Sequence, residues 1–184
     1  MRKDVKIIDD FCPDFGWLLQ EAANATYTTI EHDGLSYRNI AVTNATWAYP
    51  LFEVHLGSAE RKSDFFRLYV QHGEQSTFIH SDIGIADFVA ILSLVPKGRH
   101  NGSLAFWRHK KLGWSEPDPN DLKGVRQAER DGLIEDRWDM LEEIEMISNR
   151  CVIFPAPFYH SRYPLDWTKD HPRIVQIFFF DVRR

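Results

Sequence analysis

The sequence predicts a mainly β fold: a double-stranded β-helix of the jelly-roll, cupin-like kind, with an N-terminal helix and a helical insertion. Three observations point there. Aromatic residues make up 14% of the chain, with 13 Phe, 6 Trp and 6 Tyr, a composition suited to the pleated, half-buried surfaces of strands. Short apolar runs alternate with clusters of Gly, Pro, Asn and Asp, the pattern of an all-β sandwich or barrel. No strand–helix–strand rhythm recurs, which argues against a parallel α/β sheet. At 184 residues the chain is expected to form one domain, 1–184, with room for a substantial core.

The elements follow in order. Val5–Ile8 reads as a short strand. Phe11, Phe15, Leu18, Leu19 and Ala22 recur at helical spacing and predict a helix over Asp10–Asn24, with Pro13 near its first turn. Residues 25–50, rich in Thr, Asn, Tyr and Gly, predict short strands and loops. Pro50 opens a second helix through Leu51, Phe52, Val54, His55 and Leu56, ending near Gly57. Phe65–Val70, a turn at His72–Gln75 and a return over Ser76–Asp82 predict a hairpin. Ala86–Val95 is a buried strand, Pro96–Gly102 a turn, and Ser103–His109 another strand.

Residues 112–135 are a long excursion between strands, opened by Trp114 and Glu116–Asp121 and continued by a charged helix, Leu122–Leu133. Excursions of this length are usually lids or binding loops, so the segment is expected to be mobile without substrate and to govern what is bound; a surface helix is the other reading. Trp138–Ile147 fits both the helical and the strand period. It is read as a strand because Cys151–Phe154 continues as one after a turn at Ser148–Asn149. Arg173–Val182 is the last strand and the most apolar.

The candidate site is built around Phe78-Ile79-His80-Ser81-Asp82. On a strand, side chains two apart share a face, so His80 and Asp82 point the same way, roughly 6–7 Å apart at about 3.3 Å per residue. One imidazole and one carboxylate under-coordinate a metal, and His160, set up by Pro155 and Pro157, is the best third ligand. Two histidines and one carboxylate with open positions form the facial triad of non-haem Fe(II) oxygenases. Arg173 shares a face with Val175, Ile177 and Phe179, apolar enough to be the barrel interior, and a guanidinium there must meet an anion.

Other polar residues read as structural or surface groups. His55 lies in an apolar helical pattern; His100, His109 and His171 read as exposed turn residues. Arg108–Lys111 is a small basic loop, Asp87 a strand-edge or supporting carboxylate, and Arg162 a lining residue at the mouth of the site. Trp107 and Trp114 read as packing.

HxD, a Gly-led aromatic strand, a distal His and an Arg on the last core strand together resemble the Fe(II)/2-oxoglutarate-dependent oxygenases. The resemblance is closest to their small prolyl-4-hydroxylase-like branch and runs from about Phe65 to Phe180. It implies iron held by His80, Asp82 and His160, which are also the catalytic centre. It implies 2-oxoglutarate as cosubstrate, its far carboxylate on Arg173, thirteen positions after His160. Tyr69 corresponds to a tyrosine that bonds the same carboxylate, although Arg67 shares its face. The family's Gly-Gly-x-Thr-x-Phe strand is only partly kept: Gly102-Ser103-Leu104-Ala105-Phe106 lacks the second glycine and the threonine. The implied activity is hydroxylation with release of succinate and CO2. The alternatives are a cupin-like metalloenzyme that does not use 2-oxoglutarate and a non-catalytic jelly-roll binding or structural module. The substrate is left open among a protein side chain, a small molecule and a nucleobase.

Composition narrows the rest. A net charge of −5 gives no global basic field, so nucleic-acid binding is not indicated, though a local basic groove stays open. Cys12 and Cys151 make no disulfide framework. The N-terminus MRKDVKIIDDF reaches charges at once, without the apolar run of a secretory leader. No stretch approaches 18 apolar residues. The expectation is a cytoplasmic protein without a membrane partner.

Overall fold

The computed structural model describes residues 4–32, 35–69, 78–99, 102–164 and 172–183. The strands are β1 (Lys6–Ile8), β2 (Thr28–His32), β3 (Leu35–Val42), β4 (Glu60–Tyr69), β5 (Phe88–Ser93), β6 (Ser103–His109), β7 (Trp138–Glu145), β8 (Cys151–Pro155), β9 (His160–Tyr163) and β10 (Arg173–Asp181). The helices are α1 (Phe15–Asn24), α2 (Tyr49–Leu56) and α3 (Leu122–Asp131).

A seven-stranded antiparallel sheet, β1-β8-β5-β10-β4-β3-β2, is accompanied by a three-stranded one, β7-β6-β9. Val89, Val152, Phe154, Val175 and Phe179 from the large sheet pack with Leu104, Phe106 and Ile144 from the small one. This shared apolar interior is what the expected double-sheet jelly roll requires. β10 serves two layers. Val175 and Phe179 enter the interior, while Phe178 and Phe180 face the other way, onto α1 and α2 with Phe52, Leu18 and Ala22. Phe52 and Phe180 stack at 4.7 Å between centroids, and each fully buried ring of this kind contributes roughly 1.5–3 kcal/mol. A third cluster covers the outside of the small sheet: Ala105, Trp107, Trp138 and Tyr159 with Ala128 of α3 and Ile79.

The local signals act as their chemistry demands. α1 begins at Phe15 and not at Asp10, because Asp14 caps it, its carboxylate accepting from Trp17 N at 3.1 Å. Phe11 and Cys12 reach the core from the preceding coil. α2 has Pro50 in its first turn and ends at Gly57, φ 84°, whose N–H donates to Glu53 O at 2.8 Å. Trp138–Glu145 is a strand paired with β6 through a bulge at Phe106/Trp107. β4 starts five residues earlier than its apolar run, since polar Glu60 and Arg61 pair with Asp181 and Phe180 of β10.

The expected hairpin is corrected. β4 pairs with β3 on one side and β10 on the other, so it has no free edge along Phe65–Arg67 for a returning arm. His80 bridges His160 instead. The turn expected at 72–75, the start of its returning arm, His100 and His171 lie outside the described residues. Within the 112–135 excursion, Trp114 is partly buried and Ala128 fully so in the third cluster. No helix among the described residues is long and apolar enough to cross a membrane.

Candidate metal centre

His80 and Asp82 are not on a regular strand. His80 makes a single antiparallel bridge, donating its N–H to His160 O at 3.1 Å and accepting from His160 N at 2.8 Å. Two residues on, Asp82 N donates to Ala156 O at 3.0 Å, and Ser81 Oγ donates to Pro157 O at 2.8 Å. The HxD segment is thus laced along 156–160, the stretch that leads from β8 into His160. The bridge sets the two imidazoles side by side, 4.5 Å between centroids.

Both rings are oriented in the same way. His80 Nδ1 lies 2.9 Å from Phe78 O and His160 Nδ1 lies 2.9 Å from Phe158 O. A carbonyl can only accept, so each Nδ1 carries the hydrogen and each Nε2 keeps its lone pair. Both lone pairs face one carboxylate: His80 Nε2 is 3.7 Å from Asp82 Oδ1 and His160 Nε2 3.5 Å from Asp82 Oδ2. One ligand atom from each of the three residues lies within 4.8 Å of the others. Committed Nδ1–H groups behind converging Nε2 atoms are the arrangement that metal-bound histidines use. Burial holds His160 down to about 4, with His80 adding to the effect and Asp82 opposing it, so the ring stays neutral, the form that binds metal. Phe154 packs on it edge to face at 4.7 Å.

Arg173 lies at the start of β10, opposite Tyr69 of β4 in register, and is 2% exposed. Its Nη2 donates to Ser103 O at 3.3 Å. Burial lowers its pKa to about 10; Tyr69 opposes this and Arg162 adds to it. Tyr69 is the hub of a basic cluster, with the Cζ atoms of Arg162, Arg67 and Arg173 lying 4.8, 5.3 and 5.8 Å from its ring centroid. Arg67 and Tyr69 therefore both belong to this cluster. Arg162, expected at an open mouth, is buried, because it sits on β9 opposite Leu104 of the interior.

Other assignments change. His109, expected on the surface, is fully buried; its Nε2 lies 3.0 Å from Asp131 Oδ2 and its ring packs edge to face on Trp138. Nothing in the basic run Arg108–Lys111 signals this, because β6 simply alternates and places Arg108 outside, beside Asp139. Asp87 ties the start of β5 to β10, donating its N–H to Asp181 and accepting from Val182 N. Trp107 packs as expected and donates to Ser161 Oγ at 2.9 Å. The orienting carbonyls were missed in the sequence, yet the signal is there: Phe78-Ile79-His80 and Phe158-Tyr159-His160 are both Phe-x-His.

No protein-family model matches the sequence, and no curated protein matches it. Solved structures do match in fold. SnoN, a non-heme alpha-ketoglutarate-dependent epimerase from nogalamycin biosynthesis, aligns over 96% of this chain and 78% of its own, with a TM-score of 0.58 at 16% identity. A prolyl hydroxylase from Trichoplax adhaerens, solved with a hypoxia-inducible-factor peptide, covers 98% and 84%, with a TM-score of 0.57 at 13% identity. A Pseudomonas putida prolyl-4-hydroxylase covers 98% and 93%, with a TM-score of 0.54 at 12% identity. The fold is that of the Fe(II)/2-oxoglutarate oxygenases. At these identities the likeness extends to the architecture alone.

Proposed function

We propose that this chain is an Fe(II)- and 2-oxoglutarate-dependent oxygenase that hydroxylates a substrate still to be identified. Iron would be held by His80 Nε2, His160 Nε2 and the Asp82 carboxylate. The observation that carries the reading is the pair of histidines with Nδ1–H groups committed to carbonyls and lone pairs turned onto one aspartate. Three ligands on one side of an ion leave positions open, the donor set suited to non-haem iron. SnoN has been solved with Fe3+, alpha ketoglutarate and nogalamycin RO, and the same cofactors suit this donor set.

The chain's own residues then divide the work. Asp82 brings the negative charge that offsets the metal's, and neutral His160 binds without first losing a proton. Arg173, inside the barrel beside Tyr69, takes the far carboxylate of 2-oxoglutarate; a guanidinium fork does so through two hydrogen bonds. Arg67 and Arg162 add positive potential around the same ring. Three guanidiniums gathered around the Tyr69 ring are what the keto-acid reading asks for at the far carboxylate. Phe154, packed edge to face on His160, excludes water from that side. Iron and 2-oxoglutarate bound here would supply the oxidising chemistry, consuming O2 and 2-oxoglutarate and giving succinate, CO2 and the hydroxylated substrate. The fold neighbours include an epimerase as well as hydroxylases, so hydroxylation is the outcome to test.

The test is an anaerobic titration of the metal-free protein with Fe(II) and then 2-oxoglutarate, followed by succinate detection on admitting O2. One iron per chain, 2-oxoglutarate binding that depends on it and succinate formation are expected. Iron binding without any 2-oxoglutarate binding would overturn the cosubstrate and leave the cupin-like alternative.

A further inference from the structure

We infer that the 112–135 excursion is a brace that sets the two metal histidines, with Gly132 and Asp131 as its positioning residues and His109 of β6 as the anchor of Asp131. The inference rests on reading His80, Asp82 and His160 as the metal site. Two main-chain hydrogen bonds carry it. Ile79 N donates to Gly132 O at 2.9 Å, and Ile79 immediately precedes His80. Tyr159 N donates to Ser115 O at 2.9 Å, and Tyr159 immediately precedes His160. One excursion thus holds the residue in front of each histidine. The side chains of Ile79 and Tyr159 are buried together in the third cluster, with Ala128 of α3 and Trp138.

The glycines show how close the approach is. Gly132 has φ −57° and ψ −26°, a conformation any residue adopts, so its backbone does not require glycine. Space does: a Cβ there would lie 2.6 Å from Ile79 O. Gly124 lies inside α3, where glycine is among the poorest helix formers, and a Cβ on it would run into the Trp114 indole. Both glycines permit a contact that a side chain would block.

The helix end is fixed before it reaches Ile79. His109 Nδ1 accepts from Leu112 N at 3.2 Å, so Nε2 carries the hydrogen and donates to Asp131 Oδ2 at 3.0 Å. Gln127 Nε2 donates to the same oxygen at 2.7 Å, and Trp138 Nε1 donates to Asp131 O at 2.9 Å. Asp131 directly precedes Gly132. A displacement of α3 is therefore passed to Ile79, and through it to His80. A lid would be attached by its ends and packed lightly; this segment is bonded to both ligand-bearing stretches.

The experiment compares Mn(II) affinity in the full-length wild type, Gly132→Ala, Gly16→Ala and His80→Ala, alongside thermal melting and the visible spectrum of the Co(II)-loaded proteins. Gly16 is also a helical glycine, but a Cβ there meets nothing within 4 Å, so its variant controls for the substitution itself. Gly132→Ala should bind Mn(II) about 10-fold or more weakly, the scale for losing a supporting contact behind a metal ligand. Its Co(II) spectrum should change, and Gly16→Ala should match wild type in both. A folded Gly132→Ala with wild-type affinity and spectrum overturns the inference. Equal Mn(II) binding by wild type and His80→Ala overturns the metal site instead. If Gly132→Ala fails to fold, Asp131→Asn decides by hydrogen exchange: the Ile79 and Tyr159 amides should exchange slowly in metal-free wild type and faster in the variant. Fast exchange of both in wild type, or no change in the variant, overturns the brace.

Discussion

Replacing Arg173 by methionine should push metal-free stability and cosubstrate binding in opposite directions. Burial is the main reason the guanidinium pKa falls to about 10, well below that of a solvated arginine. At ~1.4 kcal/mol per pH unit, that displacement is a cost of about 3 kcal/mol for keeping the cation inside. The sign follows from linkage: the unfolded chain holds this proton more tightly, so the charge penalises the fold at every pH below about 10. Relief comes only as pH rises above about 10. Methionine keeps an unbranched, adaptable side chain in the same space without the charge. Urea denaturation at pH 7.5 with chelator present should therefore find Arg173→Met more stable than wild type, by up to about 3 kcal/mol. Buried ion-pair replacements elsewhere run the same way.

The cosubstrate arm runs opposite. With Mn(II) bound, 2-oxoglutarate at 100 times its Kd should stabilise wild type by about 2.7 kcal/mol. In Arg173→Met that gain should largely vanish, since removing one partner of a buried charge pair costs at least about 2–3 kcal/mol. A variant no more stable than wild type that still gained fully from 2-oxoglutarate would refute the reasoning on both counts.

The remaining expectations are more direct. Arg173→Lys should recover part of the lost 2-oxoglutarate affinity by calorimetry, because it keeps the charge but not the two-pronged fork; an affinity no better than that of Arg173→Met would count against a simple charge role. His80→Ala should abolish stoichiometric Mn(II) binding by electron paramagnetic resonance while leaving the far-ultraviolet circular dichroism unchanged, and retained binding would remove the site. In the metal-free protein, His160 should make stability fall as pH drops from 6.5 towards 4, since the unfolded ring takes up a proton that the buried one refuses. The loss should approach about 3 kcal/mol and be largely absent in His160→Gln, as read by denaturation midpoints across that range. Asp14→Ala should cost about 1 kcal/mol through the lost cap of α1, measurable as a lowered urea midpoint with unchanged metal affinity.

Much of the fold was legible because its signals are local. Pro50 and Gly57 bracket α2 through their own backbone constraints. The alternation of β10 separated Val175 and Phe179 from Phe178 and Phe180 before any partner was known. What stayed hidden depends on pairing between distant segments. The return expected over 76–82 was assigned to β4 because hairpins join sequence neighbours, but β3 and β10 take both edges of that strand. His109 looked exposed because three of its neighbours are basic or polar, and burial of a histidine is decided by what packs over it, here α3 and Trp138.

The metal site shows the same division within a few residues. His80 and Asp82 were readable as ligands from spacing alone, although the strand that justified the spacing is a single bridge; two residues apart on any extended backbone suffices. The repeated Phe-x-His could have been read further. In each copy the histidine sends Nδ1–H to the carbonyl two residues back, and the middle residue, Ile79 or Tyr159, is buried on the side away from the ligand atoms. Two such tripeptides joined by one antiparallel bridge make a nearly symmetric pair of ligands, and Asp82 faces both. The brace behind them carries no comparable mark. Gly132 looks like an ordinary helix terminator, and its proximity to Ile79, 53 positions earlier, exists only once α3 has closed over the small sheet.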